Sequence, residues 1–276
     1  CRGPFSGSNT YFLHGRVWYN DPDPIYVRDS VPLEHARALV SWVTLTGQLN
    51  ASSIQFDELS PERLHLLQRT MPAHGLKPRP VDLFEQRIPR VWLLTDGQGP
   101  SRRDVVGLFN WDEKEAAQIQ HSFEQVGLAP AQSYIGFDYW ADAFVEPFSG
   151  SLSATLPPAS CRILAVRPLA AHPQVLSTSR HITQGVIDLV AEKWDESTRT
   201  LSGTSRVVGG DPYELRIAAA GPGKVLRVND VSLAPDGSRL PATIELVEQD
   251  HWKVRVRIDA PKNAEVAWRV TFAPPQ

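Results

Sequence analysis

The sequence predicts an α/β segment over residues 1–80, followed by two antiparallel β-sandwich domains over 81–168 and 169–276. Three observations carry this expectation. An apolar helical segment at 33–46 is followed by a short polar run at 48–53 and a second helical segment opening at Ser60. From about residue 81, short β-prone runs broken by Gly, Pro and Asp recur at intervals too short for crossover helices. Near the end, Trp252, Val254, Val256 and Ile258 alternate with Lys253, Arg255 and Arg257, the period of a half-buried strand.

Each element has a local reason. Residues 16–19 look like a strand running into the turn Asn20-Asp21-Pro22-Asp23. Pro32 is placed at the first position of a helix, where its missing N–H costs nothing, and Gly47 is the C-cap. Residues 33–46 are apolar over most of the circumference, so that helix must be buried on more than one side. Residues 48–53 follow as a short strand. Ser60 caps the next helix, with Pro61 first and Glu62 in the opening turn. Strand, loop, buried helix, strand, helix is the repeating unit of a βα barrel. Runs at 91–94, 105–109, 134–140, 151–156 and 161–166 then read as strands of the first sandwich, and Pro168, His172 and Pro173 as a linker. A hairpin is expected from 186–191 and 200–208, and Val266, Trp268, Val270 and Phe272 repeat the period of two.

Composition excludes several classes. With 42% hydrophobic and 21% charged residues the chain is an ordinary folded sequence, and disorder is not indicated. A net charge of −3 with scattered Lys and Arg gives no footprint for nucleic acid or anionic lipid. No apolar run approaches the length of a membrane span. Cys1 and Cys161 supply neither a disulfide framework nor a metal spacing, and two reduced thiols are expected. Opening on Cys rather than Met, the sequence is expected to be a partial chain. No cofactor motif and no metal site are found.

The chemistry-bearing residues centre on Asn20-Asp21-Pro22-Asp23, two carboxylates flanking a rigid proline. Taken alone, the four residues also suit an Asx-type turn that caps local backbone donors. Their surroundings are more specific. Gly15-Arg-Val-Trp-Tyr-Asn-Asp-Pro-Asp-Pro24 precedes the apolar helix, then come Leu49-Asn-Ala-Ser-Ser53 and Leu59-Ser-Pro-Glu-Arg-Leu64. Val106-Gly-Leu-Phe-Asn-Trp111 and Phe137-Asp-Tyr-Trp140 follow in order. This series, over residues 10–168, resembles the melibiase families, the α-galactosidases and α-N-acetylgalactosaminidases.

The resemblance implies the last βα units of a (β/α)8 barrel followed by β-sandwiches, and retaining hydrolysis of a terminal α-linked sugar, with an α-galactoside-like carbohydrate as partner. It implies that Asp23 lines the sugar pocket and Asp21 braces the turn. Asn20 and Trp18 are assigned to the same substrate-binding rim. Pro24 stands where the best-known members carry Met, so sugar specificity does not transfer. In the family two Asp residues on earlier barrel strands, roughly 5–5.5 Å apart, act as nucleophile and acid/base. Nineteen residues precede Asn20, too few to hold them. The catalytic pair is therefore expected outside these 276 residues, and the chain alone is expected to be inactive. The competing reading is a non-catalytic carbohydrate-binding or structural β-protein. His14, His35 and His181 read as packed or capping histidines, Trp111, Tyr139 and Trp140 as core aromatics or sugar platforms, and Asp112-Glu-Lys-Glu115 as a solvated turn.

Overall fold

The computed structural model describes residues 2–23, 25–219, 227–234 and 241–274, so Cys1 and Pro24 lie outside the described residues. The chain is mostly β-sheet with few helices. It forms two compact units: Cys1–Gln132 with Asp138–Ala141 and Phe148–Leu164, and Ser133–Phe137 with Asp142–Pro147 and Ala165–Gln276.

The first unit begins with α1 (Arg2–Asn9), α2 (Leu33–Thr46) and α3 (Pro61–Gln68). Nine of the fourteen residues of α2 are buried, as its apolar circumference requires. Gly47 ends it at φ 66°, in the left-handed region, while Pro32 is its N-cap rather than its first residue. Ser60 caps α3 by accepting from the Arg63 N–H. After β1 (Arg79–Pro80) come β2 (Val91–Asp96), β3 (Arg103–Asn110), β4 (Ala117–Ser122) and the single turn α4 (Phe123–Val126). β5 (Tyr134–Asp138) and β6 (Ala143–Phe148) lead to β7 (Ser151–Leu156) and β8 (Ser160–Pro168). Within this unit the sheet order is β1-β2-β3-β8, and β4 pairs antiparallel with β7. β3 is buried along its whole length, as a strand covered on both faces must be. Helix α2 packs on it, and a Cβ at Gly107 would fall 2.4 Å from Leu45 Cδ2. Only glycine permits that approach.

Two expected strands are not strands. Residues 16–19 form a turn in which the Arg16 and Val17 N–H groups both bond the Leu13 carbonyl, leaving one isolated bridge between His14 and Trp18. Residues 48–53 form no ladder. They run in the same direction as 20–25, joined by Leu49 N–H to Asn20 O (3.1 Å) and Ile25 N–H to Ala51 O (2.9 Å). Pro22 has no N–H to give, and Asp23 at φ 78° turns the backbone out of extended geometry. The ladder is broken where the turn motif sits.

The second unit holds β5, β6 and the end of β8, in the order β8-β5-β6. It continues with β9 (Gln174–Thr178), β10 (Leu189–Asp195), β11 (Thr200–Val207), β12 (Tyr213–Ala218), β13 (Val228–Leu233), β14 (Thr243–Asp250), β15 (Lys253–Asp259) and β16 (Ala264–Phe272). Two four-stranded sheets, β10-β11-β16-β13 and β14-β15-β12-β9, share one apolar core. Leu201, Trp268 and Val270 enter it from one sheet, and Leu215, Val254 and Val256 from the other. The expected hairpin is β10–β11, starting three residues later than the sequence suggested. Trp268 is fully buried and its indole donates to Ser205 Oγ (3.0 Å). Gly203 lies beside it, and a Cβ there would fall 2.4 Å from both the Ala191 carbonyl oxygen and Trp268 Cζ2. Arg167 Nη1 donates to both oxygens of Glu192 (3.0 and 2.8 Å) and to the Val175 carbonyl, while Glu192 accepts the Val175 N–H at 2.7 Å.

Candidate functional site

The turn at 20–23 is held from three sides, all within the first unit. Asn20 is buried, and its side chain links segments far apart in sequence. Its amide nitrogen donates to the carbonyls of Gly7 (3.3 Å) and Thr10 (3.2 Å), and its Oδ1 accepts the Trp18 indole N–H at 2.8 Å. The Asn20 backbone N–H donates to His14 Nδ1 (2.9 Å). Asp21 is exposed and accepts the Asp23 N–H on Oδ1 at 3.2 Å, an Asx turn across Pro22. Asp23, also exposed, sits at φ 78°, a region that Asn and Asp tolerate better than other non-glycine residues.

Asp23 and Pro22 line a cavity of about 390 Å³ whose walls include Tyr26, His35, Leu39 and Trp42. Of the four site residues the sequence nominated, Asn20 and Trp18 hold the turn, Asp21 braces it, and Asp23 reaches the cavity wall. Trp18 is half exposed, with its indole N–H committed to Asn20. Among the described residues no group of three or more metal-ligating side chains occurs, and none of their helices is long and apolar enough to cross a membrane.

His14 caps backbone groups, one of the two roles its sequence context suggested. Its Nδ1 accepts from Asn20 and its Nε2 lies 3.0 Å from the Gly47 carbonyl, so the neutral Nε2–H tautomer satisfies both contacts. His74 repeats the arrangement one layer deeper, with Nε2 on the Leu45 carbonyl and Nδ1 accepting the Leu76 N–H. Burial lowers the pKa of both rings. In each the folded value lies below the unfolded value near 6.5, so the unfolded chain takes up protons first as the pH falls. Stability from these two groups is complete above that value and is lost on acidification through the folded values. The melting temperature is expected to hold above about pH 7 and to drop from roughly pH 6.5 downward. His14→Gln with His74→Gln should flatten that slope; differential scanning fluorimetry across pH checks it, and an unchanged slope assigns the acid sensitivity elsewhere.

The other candidates are occupied in packing. Trp111 stacks on Phe109 with ring centroids 5.0 Å apart and donates to the Pro89 carbonyl. Trp140 donates to Ser41 Oγ (2.8 Å) under the Arg37 guanidinium, and Tyr139 is buried. Asp112 caps its own turn by accepting the N–H groups of Lys114 and Glu115, which lowers its pKa. Asn110 bonds the Glu115 and Pro157 carbonyls, tying strand ends together. His181 is fully buried and contacts the Thr183 hydroxyl at 2.7 Å. Cys161 is a free thiol pushed up to about 12 by burial.

Residues 90–166 match the alpha galactosidase C-terminal beta sandwich domain. No curated protein is significantly similar to the chain. Among solved structures it is similar to alpha-galactosidase I from Mortierella vinacea, at 13% identity and TM-score 0.44, over 58% of this chain and 42% of that one. It is similar to the α-galactosidase from Saccharomyces cerevisiae solved with raffinose, at 12% identity and TM-score 0.46, over 60% and 50% of the two chains. The β-L-arabinopyranosidase from Geobacillus stearothermophilus is similar at 17% identity and TM-score 0.48, over 58% and 40%. The chain thus spans half or less of the length of these enzymes. Over residues 90–166 it is similar to the C-terminal β-sandwich domain of the α-galactosidases, and it resembles the C-terminal portion of a melibiase.

Proposed function

We propose that this chain is the closing part of a retaining glycoside hydrolase acting on terminal α-linked sugars. Residues 1–80 would complete a (β/α)8 barrel, 81–168 would be the sandwich that follows it, and 169–276 a further β-domain. Asp23 faces the sugar, Asp21 braces the loop, and Asn20 and Trp18 hold the rim. The nucleophile and acid/base belong to barrel strands outside these residues.

The observation that carries this reading is the pairing of 20–25 with 49–51. Two segments run in the same direction, joined by backbone hydrogen bonds at two places, with the buried helix α2 between them in the chain. Two adjacent units of a βα barrel share this connectivity, which supports reading the carboxylates as the end of the first. Exposed Phe5, Phe12, Val17, Tyr19, Tyr26 and Phe56 in the same region add support, since the flanks of a partial barrel need cover from its remaining units.

Kinetics of the full-length enzyme on an aryl α-galactoside test the assignment. Asp23→Asn keeps the shape and tolerates the left-handed backbone while removing the charge. It is expected to lower kcat/KM by roughly 10–100-fold, the worth of one charged hydrogen bond to substrate. Unchanged kinetics would take Asp23 out of the pocket. The 276-residue chain alone should show no turnover, and measurable hydrolysis by it would place the chemistry within these residues.

A further inference from the structure

A second, smaller cavity, of about 120 Å³, lies in the first unit, walled by Tyr11, Phe12, His14, Arg16, Lys77 and Trp92 among others. Its chemistry differs from that of the Asp23 cavity. No carboxylate lines it, and its two fully charged groups are both cations. The Arg16 guanidinium is exposed and has neither an ion pair nor a hydrogen bond among the described residues. Lys77 Nζ donates one hydrogen bond, to the His14 carbonyl (3.1 Å), and lies where a side chain on Gly15 would be, 2.5 Å from that Cβ position. Gly15 at φ 64° therefore makes both the turn that presents Arg16 and the room that seats the amine.

Trp92 adds an independent observation. The residue is fully buried, and its indole N–H has no hydrogen-bond partner among the described residues. Two cations that no carboxylate neutralises line one small cavity, with aromatic rings among its walls.

We propose that this cavity binds a small carboxylate. The planar guanidinium of Arg16 matches the two oxygens of a carboxylate, and Lys77 adds charge. The walls of Tyr11, Phe12 and Trp92 suit a flat anion with a carbon body better than a compact, strongly hydrated tetrahedral one. The carboxylate can come from a free organic acid or from an acidic sugar. This inference uses neither Asp21 nor Asp23.

The test follows the assigned Trp92 indole resonance of the full chain by NMR at constant ionic strength. Sodium acetate, sodium glucuronate, galactose and sodium phosphate are titrated separately. A saturable shift with the carboxylates, and none with galactose, is expected. Tighter binding of glucuronate identifies an acidic sugar as the source, and equal binding identifies the carboxylate alone. Arg16→Met with Lys77→Met, which leaves the buried core untouched, should weaken binding by roughly tenfold or more. The proposal is overturned by a resonance that does not saturate, by phosphate or galactose binding as well as the carboxylates, or by unchanged affinity in the doubly substituted chain.

Discussion

Trp268→Ala is expected to destabilise the second unit by about 3–5 kcal/mol, the range for truncating a buried aromatic side chain. The indole fills the centre of the core shared by the two four-stranded sheets, and its N–H is bonded to Ser205. Truncation leaves a void between facing strands and a buried serine hydroxyl without its donor. Neighbouring Gly203 makes the prediction sharper. Its missing side chain is the space the ring occupies, with the Ala191 carbonyl closing the other side. Gly203→Ala should cost about 1–3 kcal/mol by overpacking. In combination with Trp268→Ala only the clash with the Ala191 carbonyl remains, so the two effects should fall short of additive. Urea unfolding followed by circular dichroism measures all three variants. Strict additivity would show that the ring and the glycine do not share this space.

Arg167→Met is expected to cost a similar amount, about 3–5 kcal/mol, for a different reason. Arg167 and Glu192 have side chains only 7% and 12% exposed, and each also bonds the backbone of Val175. Removing the guanidinium strands a carboxylate in a low-dielectric setting, and the loss of that compensation dominates the cost. Arg167→Met with Glu192→Met should recover part of the loss, because no charge is then left buried. Recovery stays incomplete, since the Val175 N–H loses its acceptor, worth about 1–3 kcal/mol. If the double variant is no more stable than the single, the pair is not acting as a buried ion pair. The same denaturation experiment decides it.

The sandwich strands were legible because their signal is local. Val254, Val256 and Ile258 face the core while Lys253, Arg255 and Arg257 are less buried, a pattern that a period of two reproduces without knowledge of partners. β4 was not legible: Ala117–Ser122 is polar, only Ile119 is buried, and its place is set by pairing with β7. Residues 16–19 and 48–53 misled in the opposite direction. They have strand-like composition, yet the Leu13 carbonyl captures the donors of the first, and Pro22 and Asp23 interrupt the partner of the second. The turn motif was read from sequence because proline and Asx residues constrain the backbone by themselves. His14 was read as packed or capping, but its partners were not legible, because a histidine that accepts from one backbone and donates to another leaves no spacing signature. The Arg16, Lys77 and Trp92 cavity was equally hidden, since its walls come from three separated segments.

The left-handed backbone at Asp23 also bears on how position 23 can drift over generations. Every Asp codon is one base away from codons for Asn and for Gly, which are among the few residues that occupy this conformation without strain. The routes out of Asp that keep the loop intact are therefore short ones, whereas single-base steps to Val or Tyr meet a steric penalty at the backbone before any effect on chemistry is felt. A lineage released from selection on the carboxylate would be expected to settle on Asn or Gly there, keeping the shape of the turn after its charge has gone.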